Sequence, residues 1–375
     1  MDYSVRIHSR EEKAMFDLRA LYERYGYSQY RVSRFEEYDL YAQNRSFLIG
    51  TDILTFTDTN GRLMALKPDI TMSIIKSTRK EERSLVKAYY NENVYRANGG
   101  AGGFREIPQT GLECIGELEL YSVCEVLLLA AESLAAISPD YIMDISHIGL
   151  ISGFLEDAGA GAACIDELLK LAGNKNAHDA AAAARRDGLS ETVIDTLVSF
   201  IRLRGPLESA LADLKAMNLS GKAGEAVQEL SEISAVLKKC CLGGHLFLDL
   251  SLQFDPGYYN GVVFRGFING IPTGILSGGR YDGLMRKMGK SSAAIGFAVY
   301  LDLLERWDPE EHEYDADVLL LLGEGAEATD VTSYVSRLLS RGETVRVDRR
   351  VPYGMKFRRL MCAGIGGLTE IEAHN

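Results

Sequence analysis

Two polar side chains flank a glycine at alternate positions of a segment with strand character. Gln109, Gly111 and Glu113 stand at i, i+2 and i+4, so in a strand all three face the same side. Because glycine has no side chain, room remains between the amide and the carboxylate. This arrangement suits a small ligand that carries both hydrogen-bond donors and acceptors. The same pattern is also typical of the solvated face of an antiparallel strand, and the residues alone leave both interpretations open.

Two further segments combine aromatic residues with glycine. Residues 258–261 (Tyr-Tyr-Asn-Gly) are typical of a turn that enters a strand. Residues 278–284 (Gly-Gly-Arg-Tyr-Asp-Gly-Leu) contain two glycines that permit close backbone approach, and Arg280 and Asp282 are placed to pair. Turn chemistry alone would explain both segments.

Several catalytic and metal motifs are missing from the sequence. The glycine-rich residues 98–103 lack a Gly-Lys-Ser/Thr sequence and a following helix start, so we predict a mobile hairpin loop and not a phosphate site. We find no nucleophile elbow and no His-Glu-x-x-His sequence. The six cysteines are scattered without a Cys-x-x-Cys pair. The sequence therefore predicts no metal and no cofactor.

Many strands with few intervening helices are predicted, which indicates a largely antiparallel sheet. Helices are expected after Ser9, after Pro68, over 117–136 and over 296–307. Residues from about 157 to 242 are rich in Ala and Leu with helical periodicity, which indicates a helical insertion. From Asp317 the pattern is strand, helix, strand, which predicts a small α/β module.

Composition excludes some classes of function. The chain has 375 residues, 41 Lys+Arg and 53 Asp+Glu, and a formal net charge of -12. Binding nucleic acid requires clustered basic residues, so the net negative charge argues against a protein whose main role is to bind nucleic acid. We find no apolar stretch that approaches the roughly 18 residues of a membrane span and no signal-peptide pattern. The sequence therefore predicts a cytoplasmic protein with no membrane association.

Taken together, the motifs resemble those of histidyl-tRNA synthetases. Residues 66–71, 94–96 and 105–113 are similar to the motif 2 region of that family. Residues 258–261 are similar to its histidine-specific motif, and residues 278–284 followed by 296–298 to the entry of motif 3. The resemblance implies an α+β fold: a class II aminoacyl-tRNA synthetase-like antiparallel sheet flanked by helices, with a helical insertion and a small C-terminal α/β module.

The resemblance also implies a pocket for histidine. Asp69, Thr71 and Gln109 would hold the α-amino end, and Glu113 and Tyr259 would bracket the imidazole. The full set of implied histidine-binding residues is Asp69, Thr71, Gln109, Glu113, Tyr258 and Tyr259. Arg96 and Arg105 are candidate anion contacts. No catalytic residue is assigned.

The sequence departs from the synthetases where they handle ATP. Phe254 replaces the arginine that precedes the tyrosine pair, Leu303 replaces the motif 3 arginine, and the motif 2 loop is uncharged. Losing one such preorganised donor typically costs about 10²–10³ in rate, so we predict that synthetase activity is lost. A chain with this combination is similar to the regulatory subunit of ATP phosphoribosyltransferase.

That resemblance implies several partners and a domain plan. The partners would be L-histidine as feedback inhibitor and a short-form ATP phosphoribosyltransferase catalytic subunit, with a homodimer unit and no tRNA. Residues 1–310 would form the synthetase-like core, with the insertion at about 157–242, and residues 316–375 a partial anticodon-binding-like tail. A divergent histidyl-tRNA synthetase and a free-standing histidine sensor stay open as alternatives.

Overall fold

The chain forms two compact units, described here from a computed structural model. The larger unit spans His8–Trp307, and the second includes residues 308–375. The structure describes residues 10–45, 48, 53–80, 84–97, 103–240, 242, 244–252, 258–304, 307 and 314–373. Ser9, Phe254 and most of the glycine-rich loop (98–102), on which we based predictions, lie outside the described residues.

Twelve helices and sixteen strands are found in the described part of the chain. The helices are α1 (Arg10–Arg24), α2 (Tyr38–Ala42), α3 (Thr71–Ser77), α4 (Leu120–Ile137), α5 (Ile148–Asp157), α6 (Ala162–Gly173), α7 (Ala177–Arg186), α8 (Glu191–Arg202), α9 (Leu207–Ala216), α10 (Gly221–Lys238), α11 (Asp282–Lys287) and α12 (Ala328–Leu339). The strands are β1 (Ser28–Gln29), β2 (Phe35–Glu37), β3 (Thr55–Thr57), β4 (Leu63–Leu66), β5 (Val86–Ala97), β6 (Phe104–Gly116), β7 (Tyr141–His147), β8 (Arg204–Pro206), β9 (Leu246–Asp249), β10 (Val262–Ile268), β11 (Leu276–Arg280), β12 (Ala293–Tyr300), β13 (Ala316–Leu322), β14 (Val345–Asp348), β15 (Phe357–Gly364) and β16 (Gly367–Ala373).

A nine-stranded sheet forms the centre of the larger unit. Its order is β1-β5-β6-β12-β11-β10-β7-β9-β8. Only the β1–β5 and β7–β9 pairs are parallel, and the other six described pairs are antiparallel. This confirms the predicted α+β class with a largely antiparallel sheet. The long β5–β6 hairpin and β12 lie side by side and carry most of the polar residues singled out above.

One predicted helix is a strand. Residues 293–300 form β12, which pairs with β6 and β11, and a 3-10 turn follows over Leu301–Leu304. The predicted helix over 296–307 was therefore wrong. An apolar run that is buried on both sides has no strand periodicity, so it reads equally well as a buried helix. Pairing with β6 on one side and β11 on the other makes this segment a strand.

Helix α4 is a core helix. By length and composition it is apolar enough to cross a membrane, which the sequence prediction overlooked. In this fold most of its residues are buried against the sheet and its neighbours. Its buried Glu125 pairs with Lys87 at 2.6 Å. Such an ion pair satisfies a charge that burial would otherwise penalise.

Helices α6 to α10 occupy the stretch where a helical insertion is predicted, with only the short β8 among them. Their apolar faces continue the main core through residues such as Leu197 and Leu230. The C-terminal unit has a separate four-stranded sheet of order β14-β13-β15-β16, with a core under α12. The final strand β16 was not predicted, because its residues are mostly polar and exposed.

Candidate ligand-binding cleft

A cleft opens where α3, the β6–β12 strands and the tyrosine pair meet. It encloses about 440 Å³ of non-protein space, part of it open to solvent. Most of its lining consists of polar and aromatic side chains, together with Ile70 and three small residues, Ser277, Gly296 and Ala298. The full lining is Asp69, Ile70, Thr71, Tyr90, Arg96, Gln109, Glu113, Tyr258, Tyr259, Ser277, Tyr281, Gly296, Phe297, Ala298 and Tyr300.

The carboxyl group of Glu113 lies at the floor of the cleft. It is 2 % exposed and accepts a hydrogen bond of 2.7 Å from Thr71 Oγ1 and a second one from the Tyr281 hydroxyl. Burial raises the pKa of Glu113 to about 8, although both hydrogen bonds oppose the shift. The carboxyl group is thus largely protonated near neutral pH in the unliganded cleft. A ligand that donates a hydrogen bond to the carboxylate would favour its ionised form.

Asp69 fixes the start of α3. Its Oδ1 accepts a hydrogen bond of 2.8 Å from the backbone N–H of Met72, one of the N–H groups in the first helical turn that have no partner within the helix. Burial raises the pKa of Asp69, and the backbone hydrogen bonds and the charge of Arg96 partly offset this shift. Arg96 Nε in turn donates to the carbonyl of Pro68 at 3.2 Å. The cleft therefore holds two carboxyl groups, which favours a ligand with positively charged or N–H donor groups.

Gln109 contributes a hydrogen-bond donor to the cleft. The residue is 4 % exposed, and its Nε2 has no partner among the described residues. A buried unsatisfied amide costs about 1–3 kcal/mol. This loss is recovered when a ligand oxygen accepts the bond, so the amide marks a position for an acceptor such as a carboxylate.

Three tyrosines form an aromatic wall. The ring centroids of Tyr258 and Tyr259 are 4.6 Å apart, and those of Tyr258 and Tyr281 are 5.8 Å apart. Burial raises the pKa of each of these phenols, so they stay protonated. Flat aromatic surfaces beside a buried carboxyl group suit a flat ring that bears an N–H group.

Two glycines make the cleft possible. A Cβ atom on Gly296 would stand 1.9 Å from Glu113 Oε2, so β12 leaves the space that the carboxyl group occupies. A Cβ atom on Gly111 would stand 2.6 Å from the hydroxyl of Tyr90. The sequence prediction left room at Gly111 for the ligand. The structure fills that room with the phenol of Tyr90, whose residue pairs with Gly111 across the β5–β6 hairpin.

The structure brings together most of the predicted site residues. Seven of them line the one cleft: Asp69, Thr71, Arg96, Gln109, Glu113, Tyr258 and Tyr259. Because Gln109 and Glu113 are buried, the solvated-face interpretation is wrong. Arg105 does not line the cleft. Its guanidinium is half-exposed and pairs with Asp302 at 2.5 Å.

Some residues of the cleft were not singled out as binding residues. Tyr281 lies within the quoted segment 278–284, yet only the pairing of Arg280 with Asp282 was predicted there, and this pair is confirmed at 2.9 Å. Tyr90 could have been found from its place opposite Gly111 in a hairpin. Leu303, which stands where the synthetases have an arginine, packs partly buried against the main core.

The chain is similar to known proteins over most of its length. The sequence model of the histidyl-tRNA synthetase family matches residues 2–304. The ATP phosphoribosyltransferase regulatory subunit of Symbiobacterium thermophilum is 32% identical over 308 residues, which cover 79% of this chain and 76% of that protein.

Two solved structures share the fold. An ATP phosphoribosyltransferase regulatory subunit/histidyl-tRNA synthetase from Bacillus halodurans C is 24% identical, with a TM-score of 0.73 and coverage of 90% of this chain and 88% of that one. A chain of the ATP phosphoribosyl transferase complex from Thermotoga maritima is 20% identical, with a TM-score of 0.61 and coverage of 80% and 98%. The chain belongs to the family of ATP phosphoribosyltransferase regulatory subunits, which is built on the histidyl-tRNA synthetase fold.

Proposed function

We propose that the chain binds L-histidine in the cleft and regulates a short-form ATP phosphoribosyltransferase catalytic subunit at the first step of histidine biosynthesis. The observation that carries the proposal is the buried carboxyl group of Glu113, held by two hydroxyl groups beside an aromatic wall. Membership of the regulatory-subunit family supports the partner. We also propose that the chain forms a homodimer through α1 and the strand that follows it, and that it functions in the cytoplasm.

The groups of histidine match the groups of the cleft. The imidazole N–H would donate to Glu113, with its ring against the tyrosines. The α-ammonium would approach Asp69, and the α-carboxylate would accept from Gln109 Nε2, which has no partner in the described chain. This assignment differs from the role that the resemblance implied for Gln109, which was at the α-amino end. Thr71 would act mainly through Glu113, because its hydroxyl already donates to that carboxyl group.

Regulation requires more than binding. Histidine must bind two states of the complex with different affinity, since a ligand with equal affinity for both states does not shift the equilibrium between them. Coupling free energies between sites are typically about 1–3 kcal/mol, which corresponds to roughly 5- to 150-fold in affinity. We expect the chain to raise the activity of the catalytic subunit and histidine to lower it.

Glu113→Gln is expected to weaken histidine binding about 5- to 150-fold, because a charge-assisted hydrogen bond of about 1–3 kcal/mol is lost. In a reconstituted complex, the histidine concentration for half-maximal inhibition should rise by the same factor. The measurement is a histidine titration of phosphoribosyl transfer.

Glu117→Gln is the matched control. Glu117 is exposed and lies four residues from Glu113, so the same chemical change there should leave the titration unaltered. Unchanged inhibition of the Glu113→Gln complex would place the histidine site elsewhere. Histidine-dependent pyrophosphate exchange with ATP would instead establish a synthetase.

A further inference from the structure

The C-terminal unit carries a positively charged segment in an otherwise acidic chain. Residues 337–359 contain seven Arg and one Lys against two acidic residues, a formal charge of +6. The whole chain has a charge of -12, so the residues outside this segment sum to -18. We call residues 337–359 the basic segment.

Most of its charges are unneutralised in the chain itself. Arg359 pairs with Glu343, and Arg346 lies 3.5 Å from Asp348. Six other basic side chains are exposed and make no ion pair with any described residue: Arg337, Arg341, Arg349, Arg350, Lys356 and Arg358. Arg337 lies over the ring of Tyr334. Like charges crowded at this density repel one another, which an anionic partner would relieve.

The topology spreads these charges along the sheet. Val345 and Met361 contribute to the core under α12. By strand alternation, Arg346 and Arg358 stand on the opposite face. Strands β14 and β15 both run parallel to β13. The connection over 349–356 must therefore return from one end of the sheet to the other, and it carries Arg349, Arg350 and Lys356 along it.

Apolar side chains stand between the charges. Tyr353 is fully exposed and Val351 is 44% exposed, both in the connection between β14 and β15. Protein interfaces are enriched in Tyr, Met and Arg and depleted in Lys, and Tyr and Arg dominate their hot spots. Single-stranded nucleic acid needs several stacking rings along a basic groove, whereas Tyr353 is the one aromatic residue of this segment that the structure describes as exposed. The composition thus favours an acidic protein surface.

We propose that the basic segment docks on the acidic larger unit of a second copy of this chain. Residues 8–307 hold 32 Lys+Arg and 39 Asp+Glu, a formal charge of -7. Charge complementarity between +6 and -7 supplies the attraction, and Tyr353 supplies the apolar anchor. If each copy docks its segment on the other, the contact closes with two-fold symmetry. This charged contact would be separate from any contact between copies that is held together by apolar surface. Added salt weakens the charged contact by screening, which distinguishes it from an apolar one.

Sedimentation equilibrium of the full chain tests the proposal. At 25 mM NaCl we expect an association step that weakens about tenfold or more at 500 mM NaCl, because salt screens exposed charges. Arg349→Glu combined with Arg350→Glu should abolish this step at both salt concentrations. Tyr353→Ala, which changes no charge at a fully exposed position, should weaken it about tenfold.

Arg185→Glu combined with Arg186→Glu is the matched control. It makes the same charge change at an adjacent, exposed pair on α7 and should retain the step. If the unmodified chain had the same average molecular mass at both salt concentrations, the proposal would be overturned. Tight binding of a labelled 20-nucleotide RNA that the Arg349→Glu/Arg350→Glu variant loses, with no self-association, would also overturn it, since the segment would then be a nucleic-acid site.

Discussion

Replacing Glu113 by glutamine is expected to stabilise the unliganded chain at pH 9 by several kcal/mol. Burial raises the pKa of Glu113 from 4.5 to about 8 in the folded chain. A pKa shift of this size means that ionisation of Glu113 lowers the free energy of unfolding by about 5 kcal/mol. Glutamine keeps the shape of the side chain and does not ionise. The residue that recognises the ligand would therefore lower the stability of the empty protein.

The sign of the effect follows from proton binding. Between pH 4.5 and 8, the folded chain holds a proton on Glu113 that the unfolded chain releases. Stability from this group is therefore complete below about pH 4.5 and is lost as the pH rises through 8. Urea unfolding of both proteins at pH 5 and pH 9 measures the difference, which should be small at pH 5. A Glu113→Gln advantage of the same size at both pH values would contradict the account.

Gly296→Ala is expected to destabilise the chain and to abolish histidine binding. The new Cβ atom would stand 1.9 Å from Glu113 Oε2 and 2.5 Å from the carbonyl oxygen of Leu112. The carboxyl group could move, but the carbonyl belongs to the paired strand β6 and cannot rotate away. Overpacking of this kind typically costs about 1–3 kcal/mol and occasionally more. Thermal unfolding and a histidine titration measure the two effects.

Gly205→Ala separates this steric effect from the general effect of replacing a strand glycine. A Cβ atom there would meet nothing closer than 3.9 Å. We expect normal histidine binding and near-normal stability for this variant. If Gly296→Ala bound histidine as tightly as Gly205→Ala, then Glu113 would not need its present position, and the proposed binding mode would be wrong.

Strand alternation predicted one relation within the cleft. Gln109 and Glu113 share a face because strand side chains alternate, whereas Asp69 was assigned to the site through the family resemblance. The alternation is a local relation. The meeting of β6 with residues 258–259 is not local, and it was reached through the resemblance to a family and not through physical chemistry alone.

The remaining errors have a common cause. Tyr281 reaches Glu113 across 168 residues of sequence, and Arg105 pairs with Asp302 across 197. Local patterns do not determine such partners, because they depend on which strands become neighbours. The same holds for β12, where burial by β6 and β11 decided between strand and helix.

Calorimetric titration of the purified chain with L-histidine, and separately with ATP, tests the central claim most directly. We predict saturable binding of one histidine per chain and no binding of ATP in the cleft. Binding of ATP together with histidine-dependent formation of an adenylate, or the absence of any heat with histidine, would contradict the account.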